Sequence, residues 1–140
     1  MEEVKGFEPL NTSVLVVFKT TSLNHSDTPP YLKLLMQLAR KIKNLTELEK
    51  LSEILLPYLQ PNIYLILQGE LGVGKTTLAQ LIAKKMGIKE KITSPTFNIL
   101  QRYQIKDNYY LNHFDFFRLN TNDNLEIFQE LAIDNLNIIE

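Results

Sequence analysis

Cysteine and tryptophan are missing from this 140-residue chain, and histidine occurs only twice. Without cysteine there are no disulfides and no thiolate–zinc sites, a composition compatible with the cytosol. The two histidines, His25 and His113, stand too far apart to suggest a metal site. An excess of either charge is lacking as well, with 15 Lys and Arg against 16 Asp and Glu. The formal net charge is -1, so there is no bulk basic field to hold nucleic acid, which leaves only a local patch for that role. No apolar run approaches the ~18 residues of a membrane span. The opening Met1-Glu2-Glu3-Val4 is acidic and is not followed at once by the apolar core of a secretion signal. No internal repeat or low-complexity tract is present. A cytoplasmic, globular chain with no membrane partner is the expectation, and its length suits one domain with a modest core.

Glycine is also sparse, with five residues in all, yet three of them fall together in Gly69-Glu70-Leu71-Gly72-Val73-Gly74-Lys75-Thr76. That stretch fits G-x-x-x-x-G-K-[ST], a phosphate-binding loop. Ile63 to Leu67 before it is a short apolar run suited to a buried parallel strand. Thr77 to Met86 after it reads as a helix that stops at Gly87. The glycines free backbone N–H groups to approach phosphate oxygens, and the helix N-terminus adds partial positive charge. Lys75 would reach terminal phosphates as a point charge. The Thr76 hydroxyl would ligate Mg²⁺, which takes few protein ligands. A glycine-rich turn with a chance lysine would match the four fixed positions in roughly one chain of this length in two hundred. Nucleotide phosphate binding is therefore the stronger reading.

The rest of the chain is uneven in what it offers. Ser13 to Phe18 suits a strand, and Thr20 to Pro30 reads as linker. Tyr31, Leu34, Leu35, Leu38, Ala39 and Ile42 recur at helical spacing, with Thr28 or a neighbour as cap and Lys33, Arg40, Lys41 and Lys43 as a basic or simply solvated face. Thr46-Glu47-Leu48-Glu49 fits a capping box opening a second helix, with Leu48, Leu51, Ile54 and Leu55 as its apolar stripe and Pro57 as its end. Asn98 to Ile105 and Tyr109 to Leu119 read as a hairpin around Lys106-Asp107-Asn108. Asn122 to Leu136 looks helical, with Leu125, Phe128, Leu131 and Ala132 on one side, and a short apolar run leads to Glu140.

A phosphate loop needs a second acidic element to hold Mg²⁺ or orient water. Glu140 after its apolar run, Asp115 among apolar neighbours and Glu70 within the loop are candidates, and Glu140 and Asp115 are equally readable as solvated carboxylates. Ser94 and Thr96 suit a nucleotide-sensing loop or a plain turn. Arg118 suits phosphate charge or a local pair, and His113 a structural role.

The loop with Thr77, then Ser94-Pro95-Thr96-Phe97, then His113-Phe114-Asp115-Phe116-Phe117-Arg118-Leu119, then Ile138-Ile139-Glu140, resemble the TsaE (YjeE) family, bacterial ATPases of the tRNA threonylcarbamoyladenosine pathway. The similarity covers about residues 45–140. It implies an α/β P-loop nucleotide-binding fold with a central, mostly parallel sheet and a β-hairpin. Residues 1–44 would be an N-terminal extension and 45–140 the ATPase domain. It implies slow ATP hydrolysis with Mg²⁺ and action on the TsaB–TsaD pair, which itself modifies tRNA. On this chain Gly69, Glu70, Leu71, Gly72, Val73, Gly74, Lys75, Thr76, Thr77 and Thr96 would contact nucleotide. Thr76 and Glu140 would hold the metal, and Asp115 and Glu140 would form the acidic catalytic pair. The family usually has Tyr at the position of Phe117, and Met36 is an alternative start. It also continues past the acid with Trp and further strands, so a C-terminally truncated chain with ATP binding but impaired hydrolysis is expected. A small-molecule kinase and a non-hydrolysing, nucleotide-dependent binding module are the alternatives.

Overall fold

The computed structural model describes residues 15–20, 42–95, 97–117, 119 and 125–140. The helix expected from Tyr31, most of the linker before it, Thr96 and Arg118 lie outside the described residues. Five described strands form one sheet in the order β1-β2-β5-β4-β3. They are β1 (Leu15–Thr20), β2 (Ile63–Gln68), β3 (Leu100–Lys106), β4 (Tyr109–Phe114) and β5 (Leu136–Ile139). The three central strands, β2, β5 and β4, run parallel, while β1 and β3 pair antiparallel at the edges. The mostly parallel sheet with its hairpin is thus as expected. Strand β1 falls within residues 1–44 and pairs with the whole of β2.

One face of the sheet carries the main core. Leu65 and Leu67 of β2, Leu111 of β4, and Leu136 and Ile138 of β5 pack with helices α1 (Leu45–Leu55) and α2 (Lys75–Lys85). Leu48, Leu55, Leu78 and Ile82 from those helices are fully buried, each worth about 1.5–3 kcal/mol relative to exposure. Helix α1 starts earlier than the Thr46–Glu49 box predicts. Its cap is Asn44, whose Oδ1 accepts from Glu47 N at 2.9 Å, while Glu47 Oε2 accepts from Lys43 N at 2.7 Å. Asparagine is the stronger N-cap, so the reciprocal pattern forms two residues upstream. The apolar stripe also differs, because Ile54 is exposed and Ser52 is buried, its hydroxyl bonded to Glu49 O. A 3₁₀ turn over Leu56–Tyr58, containing Pro57, ends the helix.

Helix α2 closes as the sequence predicts. Gly87 takes φ +85°, Gly87 N bonds Lys84 O and Ile88 N bonds Ala83 O, a Schellman closure with Ile88 buried beneath it.

Helix α3 (Leu125–Ala132) belongs to the opposite side. Phe128 meets Phe114 edge-on at 6.0 Å and Phe116 at 6.1 Å, geometry that aromatic rings favour. The helix is shorter than the predicted Asn122–Leu136. It ends at Ala132, and Leu136 opens β5 instead. Asparagines enforce that break. Asn135 Nδ2 donates to Leu131 O and Ile133 O, and Asn137 Nδ2 donates to Ala132 O and Asn135 O. Asn112 Nδ2 adds bonds to Leu131 O and Asn137 Oδ1. Asp134 adopts φ +58°, which Asp tolerates better than most residues. Side chains thus take over the carbonyls that a helix end leaves bare.

The hairpin between β3 and β4 turns at Asp107-Asn108, with Asn108 at φ +55°. Strand β4 ends at Phe114, short of the predicted Leu119, and the chain then turns: Phe117 N bonds Asp115 Oδ1 and Leu119 N bonds Phe116 O.

Candidate functional site

The sheet's topology gathers the candidate residues at one end. Strand β2 runs directly into the glycine loop, and parallel β5 lies beside it with Ile139 level with Ile66. Glu140 therefore emerges next to the loop, at the carboxyl end of the strands, where open α/β sheets bind ligands.

The loop's shape follows from two residues free of Cβ strain. Gly72 has φ +80°, and Gly74, the N-cap of α2, has φ +99°. A side chain at either would be strained. Between them Val73 is buried at 2% exposure and anchors the loop in the core. Val73 N bonds Glu70 O, and Leu78 N bonds Gly74 O to begin the helix. Glu70 and Leu71 form the exposed tip. Lys75 folds back over the loop, its Nζ donating to Gly69 O and Glu70 O, both at 2.9 Å. Carbonyl oxygens solvate the cation where no stronger anion does.

One residue on, the Thr76 hydroxyl donates to Glu140 Oε2 at 3.0 Å. The other carboxylate oxygen, Oε1, lies 2.8 Å from His113 Nε2. His113 is completely buried, and Glu140 keeps 7% of its side chain exposed. The structure thus joins Thr76 and Glu140, which the sequence had paired, and adds His113, read from sequence as structural. The signal for His113 lay in strand alternation, but using it requires the β4–β5 register.

Asp115 lies beside this cluster, and its Oδ1 accepts from Phe117 N at 2.9 Å to close a local turn. Phe114 O and Phe116 N on either side of it clasp the Glu140 backbone. Thr77 sits half-buried in the first turn of α2, and Ser94 is exposed ahead of a turn in which Asn98 N bonds Pro95 O. Phe117 is 90% exposed. Among the described residues no group of three or more His, Cys, Asp or Glu could hold a metal ion. The hydroxyl and carboxylate of Thr76 and Glu140 do suit a hard cation that keeps most of its waters.

A central strand feeding a glycine loop and helix, with an acid delivered alongside by a parallel neighbour, defines the P-loop class of α/β protein. The family model described as Threonylcarbamoyl adenosine biosynthesis protein TsaE matches residues 42–140, and the chain belongs to that family. Similar relatives carry the description tRNA threonylcarbamoyladenosine biosynthesis protein TsaE. One from Rickettsia felis is 38% identical over 71% of this chain and 59% of its own length. One from Synechocystis is 46% identical over 41% of this chain and 36% of its own length. One from Haemophilus influenzae is 35% identical over 56% of this chain and 49% of its own length. The chain thus spans about half the length of the curated relatives it matches. No helix among the described residues is long and apolar enough to cross a membrane.

Proposed function

We propose that this chain binds ATP with Mg²⁺, hydrolyses it slowly, and serves tRNA threonylcarbamoyladenosine formation by acting on the TsaB–TsaD pair, engaging tRNA only through those partners. The observation that carries this reading is the contact of Thr76 with Glu140 at the mouth of α2, beside a lysine whose ammonium donates to two loop carbonyls. Lys75 would exchange those carbonyls for phosphate oxygens, a stronger charge-assisted pairing. The loop backbone and the α2 N-terminus would receive the polyphosphate. Thr76 and Glu140 would hold Mg²⁺, and Asp115 would complete the acidic pair. Bound ATP supplies the phosphoanhydride whose cleavage resets the partner complex.

Calorimetry with Mg²⁺ and a non-hydrolysable ATP analogue tests the binding step. Lys75→Ala should weaken affinity about 30-fold, the loss of roughly 2 kcal/mol of charged hydrogen bonding. Equal affinity of variant and wild type would overturn the reading. Phosphate release without an acceptor separates it from a kinase, and nucleotide-dependent capture of TsaB with TsaD tests the partner assignment.

A further inference from the structure

Strands β4 and β5 run parallel with His113 level with Ile138. Side chains alternate along a strand, so Glu140, two residues beyond Ile138, returns to the same face as His113. There His113 Nε2 and Glu140 Oε1 meet at 2.8 Å, inside a pocket that leaves the imidazole no exposure. The other ring nitrogen, Nδ1, is buried with no hydrogen-bond partner among the described residues. A leucine would fill this corner of an otherwise leucine-rich layer without stranding a polar atom, so packing alone does not account for a histidine. The contact with Glu140 does. With Nε2–H as donor, the carboxylate is satisfied and Nδ1 retains only a lone pair, which is cheaper to bury than a bare N–H.

We infer that His113 is a positioning residue. It holds Glu140 Oε1 so that Oε2 faces Thr76 and the Mg²⁺ proposed to bind there. This rests on the proposed function. Glu140 has three side-chain torsions to fix, and His113 fixes them before any ligand arrives. Thr76 is then the partner Glu140 is free to leave, because Oε1 stays anchored when Oε2 changes hands. Groups that orient a metal ligand in this way typically govern metal affinity by about 10–100-fold.

The test measures binding of a non-hydrolysable ATP analogue in excess EDTA and in excess Mg²⁺, for wild type, His113→Asn and His113→Gln. A Gln amide can reach the position of Nε2, whereas an Asn amide falls near Nδ1. Affinity in EDTA should agree within about twofold across all three. The gain from Mg²⁺ should fall about tenfold or more in the Asn variant and survive largely intact in the Gln variant. A merely structural histidine would shift thermal stability without separating these two conditions. Full Mg²⁺ gain in the Asn variant, or equal loss in both, overturns the inference. Nitrogen NMR of the wild-type imidazole gives a check that needs no folded variant, since a ring protonated at Nδ1 alone would also overturn it. Wild type that binds no nucleotide defeats the proposed function itself. Wild type that binds equally with and without Mg²⁺ defeats the metal role of Glu140, and this inference with it.

Discussion

At the start of β5, Asn135 and Asn137 donate to main-chain carbonyls of α3 and its turn, and Asn112 joins them from β4. At its end, the Glu140 carboxylate touches side chains, Thr76 on one oxygen and His113 on the other. The first arrangement ties polar groups to backbone that cannot move without breaking the fold. The second ties them to side chains, a ring that anchors one oxygen and a hydroxyl that can trade partners. Only four residues separate these ends. Burial of polar groups is therefore no guide to their role here, and the identity of the partner is.

Three substitutions press on that contrast. The largest effect is expected from Asn137→Ala, which removes three hydrogen bonds, to Asn112 Nδ2, Ala132 O and Asn135 O, and opens a small cavity. Roughly 3 kcal/mol of stability should be lost in denaturant unfolding, with nucleotide affinity of the folded protein unchanged. Weakened affinity would show that the two ends are coupled. Glu140→Gln keeps the shape but places a donor NH₂ against one of the two neighbours that give a hydrogen bond to the carboxylate. About 1 kcal/mol of stability should go, while the Mg²⁺-dependent part of nucleotide binding is lost, as calorimetry in EDTA and Mg²⁺ would show. A stability loss as large as that of Asn137→Ala would place Glu140 among the structural groups. Phe117→Tyr is the smallest. The ring is 90% exposed, so thermal unfolding should change by less than about 0.5 kcal/mol, and a larger shift would reveal contacts for this ring beyond the isolated fold.

Much of this was legible in advance where a local rule decides. The apolar run of β2, the glycines of the loop and the Gly87 stop each dictate their own backbone, and the hairpin turn falls at Asp107-Asn108 within the expected Lys106-Asp107-Asn108, Lys106 closing β3. Boundaries set by competition were harder. Thr46 and Asn44 both precede an acid by three residues, and the better cap prevailed. Leu136 continues the helical spacing of α3, but three asparagines capture the carbonyls before it and release the chain into β5. Contacts set by register were not legible at all. His113 and Glu140 are 27 positions apart, and only the insertion of β5 between β2 and β4 makes them neighbours.

Val73 sits inside the glycine loop yet belongs to the hydrophobic interior. A loop riveted in this way cannot swing like a gate. Its adjustments are confined to lysine rotamers and small peptide rotations, and whatever strains Val73 is felt by the leucines beneath it. Occupancy of the loop and cohesion of the interior should accordingly rise and fall together.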